Sequence, residues 1–158
     1  MLARIYVDFE ELIQNEIAII DFLAKNSDTF SIVVILKKPY SQKPPLFNYA
    51  EQLRPYITDY LWERSDWLID YLGRSKHQMM VVCRCCKESR KELSRMPNLF
   101  LSQEGEAPED IAFYRNGKLW FSTITHEKTA FFANVSKEEV SLIKKQWCNC
   151  EYLPKDMP

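Results

Sequence analysis

The chain has 158 residues, 46% of them hydrophobic, which suffices for one domain with a core of its own. Its 21 basic and 22 acidic residues are mixed along the sequence and give a formal net charge of -1, so nucleic acid is not an expected partner. The longest apolar run, residues 32–36, is too short to span a bilayer, and no secretory signal pattern opens the chain. A cytoplasmic protein without a membrane partner is therefore expected.

The first predicted elements are a short strand over residues 4–7 and a helix that begins after Asp8. Asp8 and Glu11 have the spacing of a capping box, in which the aspartate accepts hydrogen bonds from backbone donors at the helix start. One face of this helix carries apolar residues at helical spacing, namely Phe9, Ile13, Ile17, Ile20 and Ala24. The run TFSIVVIL that follows is rich in β-branched residues and predicts a buried strand.

The middle of the chain is harder to interpret. Residues 55–72 support either one helix or a strand followed by a helix. Residues 78–84, QMMVVCR, predict a second central strand, and a short polar helix is expected before Pro97.

The stretch from Pro108 to Asn134 predicts a three-stranded antiparallel meander. Asn116-Gly117 lies between two runs of aromatic and β-branched residues, which is a strong hairpin signal. A third run follows a polar turn at residues 125–128. Simple alternation places aromatic side chains on both faces of the meander, so that one face needs a cover or a partner.

A second capping box, Ser136 with Glu139, predicts a helix that ends at about Trp147. Together these elements predict an α+β (mixed α/β) fold, a single-domain sandwich with a mixed sheet, a C-terminal antiparallel meander and a terminal helix. The domain is expected to occupy residues 1–150, with residues 151–158 as a C-terminal tail that contains two prolines.

The five cysteines lie in two clusters and raise the question of a metal site. Four of them, Cys83, Cys85, Cys148 and Cys150, would supply four thiolates to one zinc ion if the C-terminus folded back. Their spacing argues against this, because structural zinc sites usually separate paired cysteines by two or more residues. Small buried core side chains explain the first cluster more simply, and neither a metal nor a cofactor is expected.

His126 and Glu127 are the weak candidates for catalysis. A histidine at an exposed turn, oriented by a carboxylate, has the properties of a general base, and a distant cysteine would complete a dyad. The simpler interpretation is a turn histidine that satisfies backbone groups, because catalysis needs a constellation of residues and the chain has no nucleophile elbow or phosphate-binding loop.

Binding candidates are more numerous. Trp62, Trp67 and Trp120 belong to the residue type that dominates binding hot spots, although core burial is the simpler explanation for each one. Glu109 and Asp110 extend a local acidic patch that would meet a cation or a basic partner, whereas most such charge runs are solvated surface.

The segment from Pro108 to Glu127 carries the pattern PEDIxFYxxGxxWFxTxxHE. It resembles a segment of small bacterial, Bacillus-type proteins, which also share the Leu-x-Pro-Tyr pattern present here at residues 53–56. Those proteins often have Trp-Pro-Gly where this chain has Trp67-Leu68-Ile69. Some of them lie near secreted polymorphic toxins, so the resemblance implies an immunity role without assigning any functional residue.

The sequence therefore predicts a non-enzymatic, cytoplasmic protein-binding module, most concretely an immunity protein whose partner is a toxin domain. Two alternatives remain open: a small enzyme that uses His126 and Glu127 with a cysteine, and a metal-binding regulatory domain built on the cysteine clusters. A homodimer formed through the meander face would remove the need for a foreign partner.

Overall fold

The computed structural model describes residues 3–36, 50–62, 77–96, 99–100, 108–146 and 150–153. These ranges contain eight strands: β1 (Ala3–Val7), β2 (Thr29–Leu36), β3 (Ile57–Trp62), β4 (His77–Arg84), β5 (Ile111–Arg115), β6 (Lys118–Ile124), β7 (Thr129–Val135) and β8 (Cys150–Leu153). The α-helices in the same ranges are α1 (Phe9–Gln14), α2 (Glu16–Lys25), α3 (Lys87–Leu93) and α4 (Lys137–Gln146). Glu51–Tyr56 and Thr125–Glu127 are 3-10 helices, and the second is called the 125–127 turn below. The α+β prediction is therefore confirmed. None of the described helices has the length and apolar character needed to cross a membrane.

The eight strands form one sheet in the order β3-β4-β2-β5-β6-β7-β1-β8. Every neighbouring pair in this order is antiparallel, where the sequence predicted a mixed sheet. The strands β1 and β2, which are joined through α1 and α2, run in the same direction, but β5, β6 and β7 lie between them. Likewise β1 lies between β7 and β8, which are joined through α4. Inserted strands thus separate the pairs that a helical crossover would otherwise make parallel neighbours.

The predicted hairpin and meander are confirmed. Asn116 and Gly117 both have positive φ angles, 49° and 70°, as the two central positions of a type I′ turn require. The strands β5, β6 and β7 are adjacent in the sheet. At the other end of the chain, residues 151–153 form most of β8 and pair with β1, where the two prolines of this region suggested a tail.

The first predicted helix is divided in two. Its predicted cap is present, because the Asp8 carboxylate accepts a hydrogen bond from the Glu11 amide at 2.9 Å. The helix stops at Gln14, however, and α2 begins at Glu16. Asn15 caps both segments and shifts the helical phase, so Ile17, a predicted core residue, is 70% exposed. The buried face of α2 is instead Ile19, Ile20, Leu23 and Ala24.

A bulge in β6 changes which aromatic side chains share a face. Phe113 pairs with Phe121 and Tyr114 pairs with Leu119, so Trp120 is the extra residue of the bulge. Both Trp120 and Phe121 consequently lie in the core beneath the helices. The ring centroids of Trp120 and Phe22 of α2 are 5.9 Å apart, and those of Phe121 and Phe132 are 4.9 Å apart. Strict alternation along β6 had placed these two residues on opposite faces.

The main core lies between the helices and one face of the sheet. Each central strand contributes alternate residues to it, for example Phe30, Ile32 and Val34 of β2. The centre of the opposite face is also buried within the single chain, including Val33, Ala112 and Phe131. The described part of the meander therefore presents no exposed aromatic patch, and the large apolar side chains that the described residues do expose are Ile17 and Leu142, both on helices.

The segment after Pro55 begins as a strand. Ile57–Trp62 forms β3 at one edge of the sheet, so the all-helical interpretation of residues 55–72 is wrong for its first part, and residues 63–72 lie outside the described ranges.

The second capping box is confirmed, because Ser136 donates its amide to Glu139 at 2.8 Å and accepts from the Glu139 amide at 3.2 Å.

Candidate functional site

The residues predicted separately as catalytic and as acidic candidates meet at one end of the β5–β6 hairpin. Glu109 and Asp110 directly precede β5, and His126 and Glu127 follow β6 after one residue, Thr125. Because the two strands are antiparallel, the start of one lies beside the end of the other. His126 Nδ1 lies 3.6 Å from Glu109 Oε1, and His126 Nε2 lies 3.7 Å from Glu127 Oε1. This group of four residues is called the hairpin-end cluster below.

The four residues of the cluster differ in how much of each side chain is exposed to solvent. The side chains of His126 and Glu109 are each 12% exposed, whereas the Glu127 side chain is 44% exposed. Asp110 is buried, at 3% exposed. Both ring nitrogens of His126 are buried, so the Glu127 carboxylate is the part of the cluster that another molecule can readily contact, and Asp110 is buried beside it.

Asp110 joins the 125–127 turn to the sheet. Its Oδ1 accepts a hydrogen bond from the Thr125 amide at 2.7 Å. Its backbone carbonyl accepts from the Val33 amide of β2 at 2.9 Å, and the neighbouring Glu109 amide donates to the Val33 carbonyl at the same distance. The carboxylate thus holds the turn against a segment whose own backbone is fixed by the β2 ladder.

Threonine hydroxyls complete the polar support of the turn. Thr123 Oγ1 accepts from the Ile111 amide at 3.0 Å and lies 3.4 Å from Thr125 Oγ1. The turn ends at Lys128, whose amide donates to the Thr125 carbonyl at 3.0 Å and whose φ of 50° is left-handed. The turn is therefore a defined, hydrogen-bonded structure, which gives His126 and Glu127 fixed positions.

Burial dominates the electrostatics of Asp110. It raises the pKa of this carboxyl to about 7, because a charge removed from water is disfavoured. The hydrogen bonds from Thr125 act in the opposite direction, while the negative charges of Glu109 and Glu127 raise the pKa further. The hairpin-end cluster therefore contains a carboxyl that changes its charge near neutral pH.

Chemically, the cluster places an imidazole with buried nitrogens between two carboxylates, of which Glu127 is the exposed one. Such an arrangement can attract a positive group, or hold a histidine in an orientation suited to proton transfer. The described residues contain no group of three or more histidine, cysteine or acidic side chains arranged to bind a metal ion.

The thiols described by the structure are not partners for His126. Cys83 pairs with Phe30 of β2, and Phe30 pairs on its other side with Phe113 of β5. From there the chain of β4 continues towards the Asn116-Gly117 end of the hairpin, because Arg84 pairs with Thr29 and Thr29 with Tyr114. The cysteines at residues 83, 85 and 86 thus lie near the end of the sheet opposite to the 125–127 turn, which excludes a dyad between them and His126.

The sheet order also separates the two cysteine clusters. Cys83 lies on β4 and the backbone of Cys150 on β8, six strand positions apart, which corresponds to about 29 Å along a sheet with about 4.8 Å between strands. One zinc ion cannot bridge that distance, so the metal alternative with these residues is not supported. Cys148 lies outside the described residues. Burial raises the pKa of Cys83 and of Cys85 to about 12, as expected for protonated, unreactive core thiols.

The tryptophan candidates do not join the hairpin-end cluster. Trp120 is 2% exposed and belongs to the core, so its assignment as a surface contact residue was wrong. The bulge is the reason, because it turns the indole towards α2. The backbone of Trp62 ends β3, and Trp67 lies outside the described residues.

Arg115 is the residue with an evident role that sequence reasoning missed. Its guanidinium lies 3.4 Å from the centroid of the Trp120 ring, donates to the Asn26 carbonyl and pairs with Glu139 of α4. It thereby connects the end of α2, the β6 bulge and the start of α4. The sequence offered one usable signal, an arginine in the last position before a hairpin turn, but its partners are distant along the chain.

Comparison with known protein families, with curated protein sequences and with solved structures finds no match for this chain.

Proposed function

We propose that this protein is a non-enzymatic protein-binding module, most concretely an immunity protein that neutralises a toxin domain, and that the hairpin-end cluster is part of its binding surface. The observation that carries the proposal is the grouping of Glu109, His126 and Glu127 at the end of the hairpin, with the Glu127 carboxylate exposed to a partner. Carboxylates held in fixed positions lose little conformational entropy when a basic group binds, and they steer its approach.

The partner implied by this surface is a protein with a basic face. Interface charges increase association rates and discriminate between partners. The near-zero net charge of the whole chain makes the local arrangement, and not a global field, the basis of recognition.

The first experiment is affinity purification with the tagged chain from lysate and secreted fraction of the source cell, followed by mass spectrometry. A captured protein supports the proposal only if its expression alone arrests growth of a host and co-expression of this chain restores it. Recovery of the bait alone, under conditions that preserve micromolar complexes, would contradict the immunity proposal. Light scattering of the same sample detects the homodimer alternative.

Variants then assign the surface. Glu127→Lys and Glu109→Lys are expected to weaken the complex on the order of tenfold or more, because each places a positive charge against a basic partner. Asp21→Lys on α2 is the matched control, since it makes the same charge change at an exposed residue whose ion pair is with Lys25 in the same helix. If Glu127→Lys and Glu109→Lys bind the partner as tightly as Asp21→Lys does, the hairpin-end cluster is not the contact surface.

A second candidate is a small enzyme in which His126 acts as a general base oriented by Glu109 or Glu127. The observation that favours it over an isolated histidine is the presence of two carboxylates at 3.6 and 3.7 Å from the ring nitrogens, which are ion-pair distances and longer than hydrogen bonds. His126→Gln separates the two proposals, because it abolishes a general base and leaves both carboxylates in place for a basic partner.

A further inference from the structure

A buried carboxylate binds the backbone of the 125–127 turn. Asp110 Oδ1 accepts from the Thr125 amide at 2.7 Å, and the Asp110 carbonyl accepts from Val33 of β2 at 2.9 Å. His126 and Glu127 follow Thr125 directly, so the contact that fixes Thr125 also fixes the exposed part of the hairpin-end cluster.

We propose that closure of the 125–127 turn is coupled to proton uptake by Asp110. The turn is closed while Asp110 carries its proton, and it opens more often once the proton is lost. Opening breaks the Asp110–Thr125 contact and admits water to the carboxylate, which is 3% exposed in the closed turn. A buried ionised carboxylate without sufficient hydrogen bonds is strongly destabilised, and hydration relieves that cost.

The two neighbouring carboxylates act in the same direction as burial, whereas the hydrogen bonds from Thr125 oppose it. Glu109 and Glu127 both repel an ionised Asp110, and His126 lies between these two carboxylates. The elements packed alongside contribute Val33 from β2 and Thr123 from β6, which do not titrate. Lys128 ends the turn and is exposed. Burial is the main cause that raises the pKa of Asp110 to about 7, so this carboxyl gains or loses its proton near neutral pH.

The coupling has a defined sign and magnitude. The pKa of Asp110 is raised in the closed turn, so the closed turn binds the proton more tightly than the open one. By linkage, the opening equilibrium constant rises about tenfold for each pH unit between about 4 and about 7 and is constant above that range. If the cluster is the binding surface, the fraction of molecules that hold His126 and Glu127 in the closed turn is expected to depend on pH. That consequence rests on the proposed function, whereas the coupling itself does not.

The test uses the full chain without a partner. Amide hydrogen exchange at Thr125 and Lys128, corrected for intrinsic exchange rates, is measured from about pH 5 to about pH 8. The Lys128 amide is included because its bond to the Thr125 carbonyl breaks with the turn. Protection is expected to fall about tenfold per pH unit up to about pH 7 and then to level off.

Two variants give the comparison. Asp110→Asn retains an oxygen acceptor for Thr125 and cannot titrate, so its protection is expected to be independent of pH. Asp8→Asn is the matched control, because Asp8 also accepts from a backbone amide but is exposed, and it should keep the wild-type slope. The same slope in Asp110→Asn and in the wild-type chain would overturn the proposal.

A direct titration keeps the proposal falsifiable if Asp110→Asn fails to fold. The ¹³Cγ resonance of Asp110 in the wild-type chain is expected to titrate with a midpoint of about 7. A midpoint near the ordinary aspartate value of about 4 would overturn it. Because neither measurement involves a partner, failure here is distinguishable from failure of the immunity proposal.

Discussion

The guanidinium of Arg115 lies 3.4 Å from the centroid of the Trp120 ring, and the same group pairs with Glu139 and donates to the Asn26 carbonyl. A cation over an aromatic face, partly shielded from water, is stabilising by about 1–2 kcal/mol. Arg115 therefore holds three separate parts of the structure together, close to the bulge that moves Trp120 into the core.

Replacement of this arginine is expected to destabilise the fold. Arg115→Ala should lower the free energy of unfolding by about 1–3 kcal/mol, because it removes the ring contact and charged hydrogen bonds of a half-buried group. Urea denaturation measures the change. Lys118→Ala, an exposed residue across the same turn, is the control and should change stability by less than about 0.5 kcal/mol. Equal effects of the two variants would show that the Arg115 contacts contribute nothing.

Truncation of Trp120 tests its position in the core. Trp120→Ala is expected to cost about 3–5 kcal/mol of stability, because it leaves a cavity beside Phe22 and Phe132. Thermal and chemical unfolding both report this loss. If the variant instead keeps wild-type stability and loses a binding partner, Trp120 is a surface contact residue and the bulge geometry is wrong.

The stability of the chain should depend on pH through Asp110. Its pKa in the fold, about 7, lies above the ordinary value of 3.8, so its stabilising contribution is complete below about pH 4 and is lost as the pH rises towards 7. The loss relative to Asp110→Asn is at most about 4 kcal/mol, and smaller to the extent that the opened turn hydrates the carboxylate.

Denaturation of both proteins at about pH 5 and about pH 8 measures this difference. The Asp110→Asn chain should gain stability relative to the wild-type chain at the higher pH. A difference that is the same at both pH values would show that Asp110 titrates alike in the folded and unfolded chain.

The edge strand β3 carries a built-in protection against pairing with another sheet. The Tyr60 amide donates to the Asp59 carboxylate at 2.8 Å, and a register shift lies between Ile57 and Asp59. Charged side chains and bulges on edge strands oppose edge-to-edge association. Asp59→Ala is therefore expected to increase self-association, measured by sedimentation velocity at several concentrations.

The control for this prediction is Asp21→Ala, which removes an equal charge from an exposed helical position. If both variants remain as monomeric as the wild-type chain, the Asp59 carboxylate does not protect the edge.

The described thiols should differ in reactivity. Burial raises the pKa of Cys83 and Cys85 to about 12, so at about pH 8 only about one in 10⁴ of these groups is a thiolate. We expect both to react slowly in the folded chain, and Cys83 most slowly, because it is fully buried whereas Cys85 and Cys86 are half-buried. Peptide mapping after a short alkylation measures the order, and unfolding in urea should make all three reactive. Rapid modification of Cys83 in the native chain would contradict its burial.

Local patterns in the sequence determined the elements with short-range signals. Asn116-Gly117 dictated the hairpin because only a few residue types adopt two successive positive φ angles. Asp8 and Ser136 determined helix starts because their hydrogen bonds reach only three residues along the chain. These interactions are local, so they can be read without knowledge of the remaining fold.

Tertiary structure decided what depends on distant partners. The break at Asn15 exposed Ile17, and the bulge placed Trp120 on the same face as Phe121, because one extra residue or one helix break changes every face that follows. The insertion of the meander between β2 and β1 made the sheet antiparallel. The hairpin-end cluster combines both cases: its residue types were evident in the sequence, but only the register of β5 and β6 brought Glu109 to His126 and buried Asp110 beneath them.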